Sequence, residues 1–253
     1  MFEVSLHIAT LLILAAFVAG FVDAIAGGGG LITMPALLLA GADPVTALAT
    51  NKLQGTFGSG TAMVSYARAG HVRLRDHAGM AIVAVMAAGA GALVAHLIPA
   101  GVLRVTMPVV LIGVAAFFAF RPGLSDANRA ARIPPAVFAV TAVPVIAAYD
   151  GFFGPGTGSF YTIAFVMLAG FGVLKATAHT KMLNFASNAG GLAIFAFGGA
   201  MWWAVGLAMG VAQIAGAALG ARAAMRVGAG LIKPLLVVTS TALALRLLWQ
   251  IWG

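Results

Sequence analysis

The sequence predicts an all-α integral membrane protein made of two inverted repeats, each with about five hydrophobic segments and one short or re-entrant, Gly-broken helix. Three observations lead to this prediction of 8–10 membrane segments. The 253-residue chain is 62% hydrophobic and 8% charged, with a mean hydropathy of +1.06. Turn signals divide the chain into apolar segments close to membrane-spanning length. The two halves also carry similar motifs in the same order.

The composition excludes most soluble classes of protein. Soluble domains have about a quarter charged residues, so this chain has too few charges to cover a water-facing surface. A soluble enzyme, a disordered protein and a nucleic-acid-binding protein are therefore excluded. The net charge of +8 indicates cations in loops beside membrane spans. Glu3 is the only charge before the first apolar stretch, which thus lacks the basic region of a secretory signal and is predicted to remain as the first span.

Ten segments follow from the positions of Gly, Pro and charged residues. The second and the seventh are too short to cross a bilayer comfortably, and each follows a Gly-rich break, at 27–30 and 151–158. Short or broken helices at matching places in two halves are typical of a transporter site. The approximate limits are 5–25, 30–41, 44–67, 77–98, 101–120, 134–153, 157–170, 173–198, 201–224 and 231–252.

The halves match in the order of their motifs. The stretch that begins at Asp23 aligns with the stretch that begins at Asp150, and the lysine motif around Lys52 aligns with the motif around Lys181. We interpret this as a two-fold repeat in a single transporter domain. Its predicted parts are repeat one at about 5–121, a cytoplasmic linker at about 121–133, and repeat two at about 134–252.

The distribution of Lys and Arg predicts the orientation. If the segments alternate in direction, most cations lie on one side, which the positive-inside rule makes cytoplasmic. Both termini then lie outside, and segments three and eight run in opposite directions, so the repeats are inverted. The cations on the cytoplasmic side are Arg68, Arg73, Arg75, Arg121, Arg129, Arg132, Lys175, Arg222, Arg226 and Lys233.

Two lysines lie inside predicted spans. Lys52 and Lys181 are each eight residues into their helices, or about 12 Å deep in a core of about 30 Å. A lysine at the centre of a span costs about 2.5–3.5 kcal/mol to insert, so both are candidates for function. They either face an anion, which we favour, or form buried ion pairs with Asp23 and Asp150.

Polar residues beside these lysines suit an oxyanion. Lys181, Asn184 and Asn188 share one helix face, and Asn51 and Gln54 lie beside Lys52. Amide donors around a cation match the oxygens of a sulfonate or carboxylate, although such amides also hydrogen-bond between helices. Free N–H groups at the glycine breaks add anion-binding donors. The predicted substrate-binding residues are Lys52, Lys181, Asn51, Gln54, Asn184, Asn188, Gly28, Gly29, Gly30, Gly154, Gly156, Thr157, Gly158 and Ser159.

Three residues are candidates for coupling or charge balance. Asp23 and Asp150 lie just before the breaks, where they could cap the loops, neutralise the lysines or accept a coupling proton. His179 is the histidine best placed to titrate during transport, although a role at the start of a helix is the simpler interpretation. Two acids are too few for a multivalent cation site, and the chain has no cysteine, so no metal or cofactor is predicted.

No catalytic motif is present. The sequence lacks a His-Glu-x-x-His pair, a Gly-x-Ser-x-Gly elbow and a Walker lysine, so we expect no enzyme. The expected partners are a small anionic substrate, the lipid bilayer and a coupling proton or cation. Small residues on many helices are compatible with a homodimer without requiring one. A passive anion channel and an accessory membrane subunit remain as alternatives to a carrier.

Four ordered motifs resemble the TauE/SafE sulfite exporter family, also called the toluene-sulfonate uptake permeases. They are GFVDAIAGGGGLITMPALLLAG, ATNKLQGTFGSG, DGFFGPGTGSF and AHTKMLNFASNAGG, and the resemblance extends from about residue 10 to 250. It implies a bacterial inner-membrane carrier for sulfite, a sulfonate or a small carboxylate. The first-half motif has Gly55 where the second half has Asn184, so the expected site is asymmetric.

Overall fold

The computed structural model describes residues 2–99, 101–103, 106, 109, 127–228 and 230, and all regular structure in these ranges is helical. The predicted all-helical class is thus confirmed, while segments 101–120 and 231–252 lie largely outside the described residues. The helices are α1 (Leu6–Ala26), α2 (Gly29–Leu39), α3 (Pro44–Arg68), α4 (Ala78–Leu97), α5 (Pro135–Val140), α6 (Ala142–Phe152), α7 (Thr157–Met167), α8 (Val173–Phe197) and α9 (Trp203–Val227).

Helix lengths indicate a multi-pass membrane protein. Within the described residues, four helical stretches are long and apolar enough to cross a bilayer: Leu6–Ala26, Leu74–Leu97, Pro135–Phe152 and Trp203–Val227. α3 and α8 each have 25 residues, or about 37 Å, and they are less apolar because they carry the buried polar residues. α2 and α7 have 11 residues each, about 16 Å, and so reach only halfway through a core of about 30 Å.

Local sequence signals explain where α3 begins. The carboxylate of Asp43 accepts hydrogen bonds from the N–H groups of Val45 (3.1 Å) and Thr46 (3.2 Å), and Pro44 occupies the first turn of α3. These are common signals for a helix start.

The sixth predicted segment, 134–153, is not one continuous helix. It divides at Thr141 into α5 and α6. Pro144 lacks an N–H group and its ring crowds the carbonyl four residues earlier, at Val140, which explains a break there.

The long helices pack in two corresponding sets. α1 contacts α9, and α6 contacts α4; α3 also contacts α9, and α8 also contacts α4. α3 and α8 pack against each other between these sets. Glycines allow the close approach: an added Cβ would lie 2.0 Å from the Phe17 carbonyl oxygen at Gly216 of α9, and 1.8 Å from the Ala88 carbonyl oxygen at Gly151 of α6. Small residues serve the same purpose between other membrane helices.

The loops lie at two ends of the bundle. At one end, the backbone N–H of Arg129 donates to the carbonyl of Gly170 (2.7 Å), and the rings of His77 and His179 lie 4.6 Å apart. At the other end of α8, Glu3 accepts hydrogen bonds from the first turn of α9. The N-terminus and the α8–α9 loop therefore share one end, while the α3–α4 and α7–α8 connections share the opposite end.

Candidate substrate-binding site

The two glycine breaks meet in the structure. Gly27 ends α1 with a φ of 78°, a backbone conformation that favours glycine. A Cβ at Gly27 would lie 2.3 Å from the carbonyl carbon of Gly158, and one at Gly158 would lie 2.6 Å from Gly27 Cα. The hydroxyl of Ser159 also donates to the carbonyl of Ala26 at 2.6 Å. The break before α2 therefore packs directly, backbone against backbone, on the start of α7.

A small polar cavity adjoins this contact. Its volume is about 30 Å³, which is room for two or three water molecules at about 10–15 Å³ each. Glycine backbone, carboxylates and side-chain amides form its walls, so an occupant would meet polar groups from both halves of the chain. The described lining residues are Asp23, Gly27, Gly29, Gly30, Asn51, Gln54, Gly55, Asp150, Gly154, Gly156, Gly158, Asn184, Asn188 and Gln213.

Each buried lysine pairs with the aspartate of the other half. Lys181 Nζ lies 2.9 Å from Asp23 Oδ2, and Lys52 donates to Asp150 Oδ1. Both lysine side chains are 0% exposed, and each lies eight residues after the first residue of its helix. The ion pairing that the sequence left as an alternative is thus present. Neither lysine is among the described lining residues, whereas both aspartates are.

The two ion pairs have different surroundings. Asp150 is 2% exposed, and its second oxygen accepts a hydrogen bond from the Ser187 hydroxyl. Asp23 is 13% exposed, and its Oδ1 accepts a hydrogen bond from the N–H of Gly29 (3.2 Å) at the start of α2. The Asp23 carboxylate therefore occupies the position where the sequence predicted an external anion, between a lysine and a helix N-terminus.

A chain of amides forms another wall of the cavity. Gln54 Nε2 donates to Asn51 Oδ1 at 2.8 Å, and the Thr33 hydroxyl lies 2.6 Å from the same oxygen. Gln213 Nε2 in turn donates to Gln54 Oε1. In this arrangement Asn51 Oδ1 accepts two hydrogen bonds, which leaves the Asn51 amino group to donate into the cavity.

Gln213 is the one described lining residue with a polar side chain that the sequence did not predict. It is 2% exposed on α9, and its side chain fills the space above Gly58, where an added Cβ would lie 1.9 Å from Gln213 Oε1. No motif surrounds it, because it stands alone in an apolar segment without a counterpart in the first half. Its one available signal was a strongly polar side chain in the middle of a span, which is itself a mark of function.

The two asparagines of α8 both reach the cavity. Asn188 Nδ2 donates to the carbonyl of Asn184 at 2.8 Å. An added Cβ at Gly55 would lie 3.3 Å from Asn188 Oδ1, so Asn188 occupies the space that the small residue leaves on α3. The asymmetry expected from the sequence thus has a packing role.

Besides Lys52 and Lys181, four predicted site residues lie beside the cavity or away from it. Gly28, Thr157 and Ser159 are not among the described lining residues, and the Thr157 hydroxyl donates to the carbonyl of Gly154 at 2.5 Å. His179 lies near the start of α8, with its Nδ1 2.8 Å from the Lys175 carbonyl oxygen and its ring 4.8 Å from that of Phe171. The structure therefore places His179 in an aromatic cluster at one end of the bundle.

Comparison with known proteins gives full-length matches. The profile of the family described as "Sulfite exporter TauE/SafE" matches residues 12–247. The chain is 54% identical to "Probable membrane transporter protein ORF9" of Sinorhizobium sp. over 246 residues, which cover 97% of this chain and 94% of the relative. It is 42% identical to "Probable membrane transporter protein YfcA" of Escherichia coli (strain K12) over 253 residues, with 100% and 94% coverage. No solved structure gives a significant match.

Proposed function

The chain belongs to the TauE/SafE family of membrane transporters, and we propose that it is a secondary transporter for a small sulfur-containing or organic oxyanion. One observation carries the proposal: the Asp23 carboxylate is held by the Lys181 ammonium and the Gly29 N–H at the edge of a polar cavity. These two donors would bind a sulfite, sulfonate or carboxylate group in the same way. The internal carboxylate thus acts as a stand-in for substrate.

Proton uptake by Asp23 would free these donors for the substrate. A protonated Asp23 no longer attracts Lys181, which is then available to an incoming anion. Entry of one proton with one monovalent anion keeps the net charge of the buried site unchanged, which avoids leaving an unpaired ion in the membrane core. Asp23 is the coupling residue in this scheme, and Asp150 keeps Lys52 in place.

The proposed architecture is a pair of inverted repeats. The helix contacts support it, because α1 with α9 corresponds to α6 with α4, and α3 with α9 corresponds to α8 with α4. The two ion pairs are also exchanged between the proposed repeats at about 5–121 and 134–252. Rocking of one repeat against the other would expose the shared cavity to each side in turn.

The proposed orientation places the cation-rich end in the cytoplasm of a bacterial cell. The α3–α4 and α7–α8 connections carry Arg73, Arg75 and the neighbouring Arg129 and share one end of the bundle. Glu3 lies at the other end, beside the start of α9. The positive-inside rule then makes this second end the periplasmic one.

The cavity size supports a carrier that opens and closes. A volume of about 30 Å³ holds two or three waters and is too small for a sulfonate. The conformation is therefore a closed one with its charges paired, and substrate binding requires the two breaks to separate. The proposed contacts are Lys181, Lys52, Asn51, Gln54, Asn184 and Asn188, with backbone donors at Gly28–Gly30, Gly156 and Gly158. The N–H groups of Gly154, Thr157 and Ser159 already donate to backbone carbonyls.

Ligand-dependent thermal stability of the detergent-purified protein tests the proposal. Sulfite, sulfoacetate, taurine, thiosulfate, acetate and lactate would each be added to the wild type, to Lys181→Met and to the control Lys175→Met. A ligand at 100 times its Kd stabilises by about 2.7 kcal/mol, and we expect this with an oxyanion in the wild type and the control only. Equal shifts in all three proteins would place anion binding elsewhere and overturn the assignment.

A further inference from the structure

A lateral groove lies between α3, α8 and α9, on a different face of α3 from the cavity. Its volume is about 600 Å³, and none of its described lining residues lines the cavity. We propose that this lateral groove binds an anionic phospholipid, with one acyl chain in the groove and the headgroup phosphate between Arg68 and Arg222. The apolar part of its wall consists of Phe57, Met63, Val64, Phe185, Ile214 and Ala218.

The length of the groove fits one leaflet of a bilayer. Its wall on α3 extends from Thr56 to Arg68, twelve residues or about 18 Å along the helix. Half of a hydrocarbon core of about 30 Å is about 15 Å. Thr56 follows the mid-membrane Lys52 by one helical turn, and Arg68 is the last residue of α3. The groove therefore extends from the middle of the membrane to one interface, as an acyl chain does.

The hydroxyl groups in the wall do not require water. Thr56 donates to the carbonyl of Lys52 (2.7 Å), Thr61 to that of Phe57 (2.8 Å) and Ser65 to that of Thr61 (2.8 Å). Each hydroxyl hydrogen thus bonds within its own helix, a common arrangement for Ser and Thr in membrane spans. The surface that remains toward the groove is compatible with hydrocarbon, which neither supplies nor needs hydrogen bonds.

The charges at the end of the groove fit a phosphate. Arg68 and Arg222 are both exposed, and neither has an acidic partner among the residues that the structure describes. Guanidinium groups bind phosphate oxygens in a bidentate manner. Basic pockets between membrane helices on the cytoplasmic side bind anionic headgroups for this reason. A soluble anion would satisfy the arginines but would leave the apolar part of the groove uncovered.

Lipid in the groove would contact the walls of the transport site. Thr56 and Phe185 line the groove, and the residues that precede them, Gly55 and Asn184, line the cavity. The Phe185 ring also packs on Gly60, where an added Cβ would lie 3.1 Å from it. A bound acyl chain would thus support the contact between α3 and α8.

Native mass spectrometry of the delipidated full-length protein tests the proposal. Phosphatidylglycerol and phosphatidylcholine with identical acyl chains would be titrated into the wild type, Arg68→Gln/Arg222→Gln and the control Arg73→Gln/Arg226→Gln. The control removes the same charge from exposed positions at the same end of the bundle, outside the groove. We expect selective binding of phosphatidylglycerol, at least about tenfold weaker in the groove variant and unchanged in the control.

A second variant tests the acyl chain separately from the charge. Ala218→Trp fills the groove without changing its arginines, and we expect it to weaken phosphatidylglycerol binding as well. Equal binding of the two lipids, equal losses in both arginine variants, or full binding by Ala218→Trp would each overturn the proposal. Displacement of the lipid by millimolar inorganic phosphate would also overturn it, because the arginines would then be a site for soluble anions.

Discussion

Lys181 and Asp23 lie 158 residues apart in the sequence, yet their Nζ and Oδ2 atoms are 2.9 Å apart in the middle of the bundle. The pair joins α8 to the last turn of α1, just before the chain breaks at Gly27. Because Asp23 also accepts a hydrogen bond from Gly29, one carboxylate connects a lysine, a helix end and the polar cavity.

Removal of one member of this pair should destabilise the protein more than removal of both. Lys181→Met leaves Asp23 without its cation, and loss of one partner of a buried pair costs about 3–5 kcal/mol. We expect the lower end of this range, since Asp23 is partly exposed. Asp23→Asn combined with Lys181→Met should recover most of the loss, as measured by thermal melting of the purified variants. Additive losses in the double variant would show that the two side chains do not interact.

Replacement of Gly27 should affect folding more than replacement of Gly41. Both glycines have a positive φ, 78° and 95°, but an added Cβ meets Gly158 at Gly27 and nothing within 4 Å at Gly41. Gly41→Ala should cost about 1–2 kcal/mol for the backbone conformation alone. Gly27→Ala should add about 1–3 kcal/mol for overpacking. The two variants are compared by the fraction of each that elutes as folded protein in size exclusion and by its Tm. Equal values for Gly27→Ala and Gly41→Ala would mean that the two glycine breaks do not touch.

Gln213 should influence substrate affinity although no motif contains it. Gln213→Met keeps the volume of the side chain but leaves Gln54 Oε1 without its donor. The Gln54 side chain, which donates to Asn51 Oδ1, is then held less firmly. An unsatisfied buried group costs about 1–3 kcal/mol, and we expect KM for transport to rise by about 10- to 100-fold with a smaller change in Vmax. Thr61→Val, in the lateral groove, is the control. An unchanged KM in Gln213→Met would remove the amide chain from the site.

The cap that Glu3 provides to α9 should make stability depend on pH. Partial burial raises the pKa of Glu3, but the backbone N–H groups of Ala204 (2.9 Å) and Val205 (3.1 Å) hold the pKa below its usual value. Such a group contributes stability above the unfolded pKa of about 4.3, and this contribution is lost as the pH falls below it. Glu3→Gln should lower stability by about 0.5–1 kcal/mol at pH 7, and this difference should shrink as the pH falls through the lowered pKa of Glu3.

Thermal melts of the wild type and Glu3→Gln between pH 3 and pH 7 measure this effect. Asp76→Asn is the control, because Asp76 is an exposed carboxylate in the short helical turn at the other end of the bundle. Parallel melting curves for the wild type and Glu3→Gln over the whole range would contradict the role of Glu3 as a cap.

The sequence predicted most helix limits because local chemistry determines them. Asp43 and Pro44 start α3, and the Gly-rich stretches end α1 and precede α7, so the motifs and their order sufficed to identify the family, which the profile match confirms. The break at Thr141 was missed because Pro144 acts on a carbonyl four residues away. The effect of Pro144 is local, so the position of this proline in the sequence is a signal for the break at Thr141.

Long-range pairing was beyond the sequence. The sequence contains two lysines and two aspartates near matching breaks. Nothing in their spacing determines whether each lysine contacts the aspartate of its own half, the aspartate of the other half or an open cavity. That choice depends on how α3 packs against α8, which is a property of the whole bundle. The role of Gln213 depends in the same way on the contact of α9 with α3, which no motif encodes.

We expect Asp23 to couple anion movement to protons, and transport in proteoliposomes tests this most directly. Uptake of labelled methanesulfonate, a monovalent sulfonate, would be measured with and without an imposed pH gradient in the wild type, Asp23→Asn and Asp150→Asn. We expect saturable uptake that the gradient drives in the wild type. Asp23→Asn should exchange methanesulfonate across the membrane without responding to the gradient. Gradient-driven uptake by Asp23→Asn equal to that of the wild type, or non-saturable flux in the wild type, would contradict the account.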